Sequence, residues 1–180
     1  MPASLAELLR GWHDFYILIG TASATLVGLM FVAASIGSSI FNEEHSASMA
    51  AFLTPTVVHF AAALFTALLA TIPTESWYSL GGLVGAGGVA GCVFCGRILV
   101  DLLIRHRFKV ELIDVLFYSL FPVVGYLLAI AAAVLLVLQS EASANLIAAA
   151  LLTLLFAGIR NAWDMMIWIV IKTPSGRPQP

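Results

Sequence analysis

Five long apolar runs separated by short polar links dominate the chain, at residues 15–41, 50–72, 79–104, 115–138 and 145–171. Each can cross a hydrocarbon core of roughly 30 Å, which takes about 20 residues of helix. A segment in lipid must satisfy its own backbone, and runs of this length predict helices rather than strands. The pattern ahead of the first run is different. Leu5, Leu8, Leu9 and Trp12 recur at helical spacing, with Glu7 and Arg10 elsewhere on the wheel, which predicts a short amphipathic helix within 1–14 lying among the headgroups. Gly11 permits a bend after it, and Asp14 is placed to cap the next helix. The proline-rich tail 173–180 is expected to be disordered. The expected fold is therefore all-α: a membrane domain of five transmembrane helices over 15–172, preceded by an interfacial helix.

Small residues mark where these helices should approach one another, because lipid tails give helices no hydrophobic reason to associate and packing must supply it. The first span carries Gly20, Ala24 and Gly28 at spacings of four. The third is richer, with Gly81, Gly85, Gly88, Cys92 and Gly96 in one row and Gly87, Gly91 and Cys95 beside it, which predicts that it is the central helix. A nucleotide-binding reading of these glycines fails, since no strand precedes them and no Lys-Ser/Thr follows. Pro55 falls early in the second span, and Pro122 with Gly125 predicts a kink in the fourth.

The fifth span holds Arg160 and Asp164, each costing roughly 3 kcal/mol near a bilayer centre, while each large apolar residue returns only about 0.3 to 0.6. That helix is marginal alone and calls for polar partners. His59 in the second span and Arg97 and Asp101 in the third are the candidates, with Asn161 as a bridging amide. Arginine four residues before the acid is the less favourable order for an isolated pair, which suggests the cross-helix pairs Arg97 with Asp164 and Arg160 with Asp101. Counted from the span ends, these residues gather in one half of the membrane. Three readings follow: a structural cluster, a permeation or proton pathway, or an inner belt in which Trp163 and Trp168 end the hydrocarbon and Arg160 snorkels. His59 divides in the same way, between a structural hydrogen bond and a proton or ion role; haem ligation lacks a second histidine at matching depth.

Composition agrees with the pattern. Of 180 residues 61% are hydrophobic and 10% charged, far from the roughly 25% charged of soluble domains, so no soluble domain is expected. A net charge of −2 without a large basic cluster argues against nucleic acid as a partner. Cys92 and Cys95 lack the second ligand pair of a zinc site, and neither a metal, a cofactor nor a catalytic set is expected, so the chain does not read as an enzyme. With five spans, one side holds Arg10 alone and the other Arg105, Arg107, Lys109, Lys172 and Arg177; the positive-inside rule then places the N-terminus outside and the C-terminus in the cytoplasm. The first run is too long for a signal-peptide core and is read as an uncleaved span.

Trp12-His13-Asp14-Phe15-Tyr16, Gly20 through Val32, Phe52 through Val58, and Ile159-Arg160-Asn161-Ala162-Trp163-Asp164 resemble a group of small, uncharacterised bacterial inner-membrane proteins. The resemblance covers most of the chain and implies a multi-spanning protein of the bacterial inner membrane, with no activity or ligand attached. Intramembrane charges, a glycine-rich helix and small size favour a homo-oligomeric channel or small transporter. An accessory or assembly subunit bound to another membrane protein through small-residue faces is the alternative, the lipid bilayer being the surround in either case.

Overall fold

The computed structural model describes the backbone over residues 4–40, 43–73, 76–104 and 119–172, and the side chains within it except those of 37–40, 43–52, 101–104 and 168–172. Six helices make up the described chain: α1 (Leu5–Gly11), α2 (His13–Ile40), α3 (Glu43–Thr71), α4 (Trp77–Ile104), α5 (Phe121–Val137) and α6 (Ala142–Lys172). Four of them, α2, α3, α4 and α6, are long and apolar enough to cross a membrane, which is what a membrane-embedded chain requires. α5 is equally apolar but has 17 residues, about 25 Å of helix, and the first part of the predicted fourth span, 115–118, lies outside the described residues. A wide turn of π type at Ser119 and Leu120 leads into it, and Pro122 occupies its first turn, where a missing N–H costs nothing.

Local chemistry sets the N-terminal elements. The Ser4 hydroxyl accepts from the Glu7 N–H at 3.3 Å while the Glu7 carboxylate accepts from the Ser4 N–H at 3.0 Å, a reciprocal cap that starts α1. Those bonds, the backbone one foremost, hold the Glu7 carboxyl below its ordinary range. Leu5 is buried, and Leu9 and Trp12 pack beside it on the bundle, so the apolar face of α1 covers protein. The chain turns at Trp12 and α2 begins at His13, with the Tyr16 N–H donating to the Trp12 carbonyl at 3.1 Å. Asp14 thus sits inside the first turn of α2 rather than at its cap, where its charge still suits the helix dipole. α3 also starts earlier than expected, taking Glu43, Glu44 and His45 into the helix and placing Pro55 deep inside it, buried.

The long helices alternate in direction and form two antiparallel hairpins, α2–α3 and α4–α5, with α6 packed against both α3 and α5. α3 and α4 touch only slightly. Near the end marked by Trp77, Tyr16 and Ile19 of α2 meet Ala63, Ala67 and Ala70 of α3, Leu80 and Val84 of α4, Ala133 and Leu136 of α5, and Ile147 and Leu151 of α6. Toward the opposite end, marked by Arg97, Met30, Phe60, Ala162 and Met165 form a second apolar cluster.

Glycines make the close approaches, though only some of those expected. A Cβ on Gly81, Gly85 or Gly88 would meet α5 at 3.2 Å or closer, and one on Gly91 would stand 2.2 Å from the Tyr126 ring. Gly158 of α6 seats Phe60 of α3 in the same manner, at 2.4 Å. Gly96, by contrast, has open space around it, as do Gly82 and Gly87. On α2 only Gly20 packs, 3.6 Å from Ala67, whereas Ala24 and Gly28 face outward. α4 is therefore not the central helix. Its packed arc is spent on α5 and its other arc is uncovered, so α3 and α6 hold the middle of the bundle.

Gly88→Leu should force α4 from α5 and lower stability in detergent by at least about 1 to 3 kcal/mol, whereas Gly87→Leu on the open arc should leave it unchanged. Equal loss in both variants, read from chemical unfolding, would contradict this packing.

Candidate functional site: a buried polar bond between two hairpins

Depth follows from helical rise. Trp77 and Tyr78 start α4, and the Gln139 amide donates to the Tyr78 hydroxyl at 3.4 Å, gathering polar groups at that end. Arg97 lies about 30 Å further along α4, and Arg160 and Asp164 lie about 27 and 33 Å along α6 from Ala142. All three are thus one hydrocarbon thickness from the Trp77 end. Arg97 is exposed, and Trp163, three residues after Arg160, is 64% exposed. Arg160 pairs with Asp164 on its own helix, and the two side chains are 33% and 27% exposed. The Asp101 side chain lies outside the described residues.

His59 and Tyr126 are different. Counted from Thr71 and Val137, they stand about 18 and 17 Å from the Trp77 end, near mid-depth. His59 Nδ1 and Tyr126 Oη are 2.9 Å apart and both residues are buried. Either the phenol donates to a bare Nδ1 or an Nδ1–H donates to the phenol oxygen. Their rings sit 5.7 Å apart and tilted. This bond joins α3 of one hairpin to α5 of the other. Two further side-chain hydrogen bonds, Ser119 to the Cys95 carbonyl at 3.2 Å and Gln139 to Tyr78, lie within the second hairpin and its ends.

Glycine notches hold the pair. The Tyr126 ring occupies the space a side chain at Gly91 would take, among Cys92, Cys95 and Leu154, and Phe60, next to His59, fills the notch at Gly158. His59 Nε2 is buried with no hydrogen-bond partner among the described residues. Thr56, one turn before His59 on α3, and Asn161, one turn beyond Gly158 on α6, are both fully buried. Because α3 and α6 run antiparallel, both lie on the Arg97 side of His59. Buried hydroxyls of Tyr16 and Ser143 belong to the Trp77 end, and that of Ser23 to α2.

The predicted polar residues therefore separate into an interior set, His59 and Asn161, and a boundary set, Arg97, Arg160 and Asp164. Tyr126, which the sequence offers only as one hydroxyl among several in its span, is the partner that sequence reasoning missed; the signal was its register opposite Gly88 and Gly91. Among the described residues no three His, Cys, Asp or Glu side chains are grouped to hold a metal ion. Protein-family models, curated proteins and solved structures give no match to this chain.

A double-mutant cycle with His59→Leu and Tyr126→Phe, measured by reversible unfolding in detergent, should give a coupling of about 0.6 to 1.7 kcal/mol, the range of hydrogen bonds between membrane helices. Zero coupling would show that the two residues do not stabilise each other. Arg160→Met should cost less than about 1 kcal/mol, because a partly exposed pair gains little over solvated charges. A loss of 3 kcal/mol or more, the scale of breaking a buried pair, would return Arg160 to the interior.

Proposed function

We propose that the protein is a five-span membrane protein, with α5 as its fourth span and α1 at the interface, that acts as a homo-oligomeric channel or small transporter. The observation that carries this reading is the His59–Tyr126 bond. A titratable group at mid-depth is costly, and where such groups occur inside spans they mark ion or proton paths more often than elsewhere. This one lies between two hairpins that otherwise touch little, the kind of seam along which one bundle rocks against another around a central site. The belt depth of Arg97 and Arg160, the resemblance to bacterial inner-membrane proteins and the uneven distribution of positive charge support an N-terminus outside and a C-terminus in the cytoplasm.

A second reading has its own support. Ala24 and Gly28 on α2, and Gly82 and Gly87 on α4, are small residues on uncovered faces that would suit close contact with another helix. If that helix belongs to a different protein, the chain is an accessory or assembly subunit.

Purification in mild detergent separates the two. The channel or transporter reading expects a defined homo-oligomer without foreign protein, and solute or ion flux once it is reconstituted into liposomes. A stoichiometric foreign partner, with silent liposomes, would replace it by the accessory reading. Probes at positions 75 and 141 should label from outside intact cells and one at 177 should not; the reverse would overturn the orientation.

A further inference from the structure

We infer that His59 is a proton-binding site reached from the Arg97 end of the bundle, so that the species handled at the seam is the proton. This rests on the transport reading above and names what is transported or coupled. Three observations meet at one residue. His59 is fully buried near mid-depth, its Nδ1 is engaged by Tyr126, and its Nε2 has no hydrogen-bond partner among the described residues. One ring nitrogen is thus fixed and the other is left for chemistry.

The proton balance is simple. In the tautomer with hydrogen on Nδ1, that N–H donates to Tyr126 Oη and Nε2 keeps its lone pair. A hydronium ion in water entering the seam gives its proton to that lone pair; one N–H bond forms, one O–H bond breaks, and a water molecule is left. The ring gains one positive charge, while Tyr126 remains a neutral phenol accepting the same hydrogen bond. Release to water reverses each change. No other co-reactant is needed.

The direction of access follows from what lies on either side. Toward the Arg97 end, the next turn supplies Thr56 from α3 and Asn161 from α6, both fully buried polar side chains within about 5 Å of rise from His59 and Gly158. Arg160 stands next to Asn161 on α6 and Asp164 one turn after Arg160, about a third and a quarter exposed. Toward the Trp77 end, the helices next to His59 instead meet through Ala63, Ala67, Leu80, Ala133, Leu136 and Leu151, and the buried hydroxyls of Tyr16 and Ser143 come only near that end. Polar side chains thus begin one turn from His59 toward the Arg97 end, and beyond several apolar residues toward the other.

Other titratable groups at this level are few. On α5 there is Tyr126, and on α4 Cys92 and Cys95, which pack around the Tyr126 ring. α6 presents the uncharged Asn161 and, next to it, Arg160 in its ion pair with Asp164. Neither cysteine nor tyrosine acquires a positive charge, so a cationic signal from this seam belongs to His59.

Nitrogen-15 NMR of histidine-labelled protein in lipid nanodiscs, together with proton flux into dye-loaded liposomes under a potassium clamp, tests this directly. The His59 resonance, assigned by its loss in His59→Gln, should pass from neutral to cationic as the pH is lowered. Proton flux should be abolished in His59→Gln, whose amide can still bond Tyr126, and strongly reduced in Asn161→Leu, which serves if the first variant does not fold. A His59 ring that stays neutral throughout, or flux undiminished in these variants, overturns the inference while leaving a transporter of another species possible. A ring that titrates in protein showing no flux of any kind supports proton binding and removes the transport reading.

Discussion

Lipid offers these helices no hydrophobic gain on association, so the bundle depends on how closely backbones approach and on a buried polar bond between its two hairpins. That bond, His59 to Tyr126, is the constraint around which the seam is arranged. The histidine cannot face lipid at mid-depth without losing its partners, and Tyr126 can reach it only because Gly91 leaves room for its ring. Phe60, adjacent to His59, sinks into the notch at Gly158, which draws α6 against α3 at the same level. Two hairpins that barely touch through α3 and α4 are thereby joined by α6 along one side, by the apolar cluster at the Trp77 end and by a hydrogen bond at the middle. The charged Arg97 and the Arg160–Asp164 pair stand farther along the bundle, toward the end opposite Trp77.

Much of this architecture was legible in the sequence, and the limits were physical. Apolar runs located the long helices because a membrane-crossing helix must be apolar over a fixed length. Their ends were less well placed, since a helix such as α3 continues past its apolar run into polar sequence. Depth counted from the far end of α6 puts Arg160 well inside the membrane, while depth counted from the Trp77 end, where aromatic and polar residues fix the boundary, puts it at the edge. Small-residue spacing told which residues share a face and not which face is covered. Gly81, Gly85, Gly88 and Gly91 meet a neighbour; Gly28 and Gly96, spaced just as well, meet none. Tyr126 stayed hidden because an aromatic hydroxyl in a span is unremarkable until the glycines opposite it are placed.

A seam of this construction can close and open at modest cost. Apolar layers at the Trp77 end resist separation, while at the Arg97 end the two hairpins are joined through α6 and through buried polar groups that water can replace. Charging His59 would favour water around Nε2 and therefore the open arrangement at that end. The most direct measurement of this is the distance between spin labels on the two hairpins at the Arg97 end, at Val32 of α2 and Val100 of α4, both exposed. Cys92 and Cys95 would first be replaced by alanine, and the protein studied in nanodiscs. A single narrow distance at neutral pH that gains a longer component on acidification, and shows no such change in His59→Gln, is the predicted result. A distribution that stays the same across pH, or shifts equally without His59, would contradict the account.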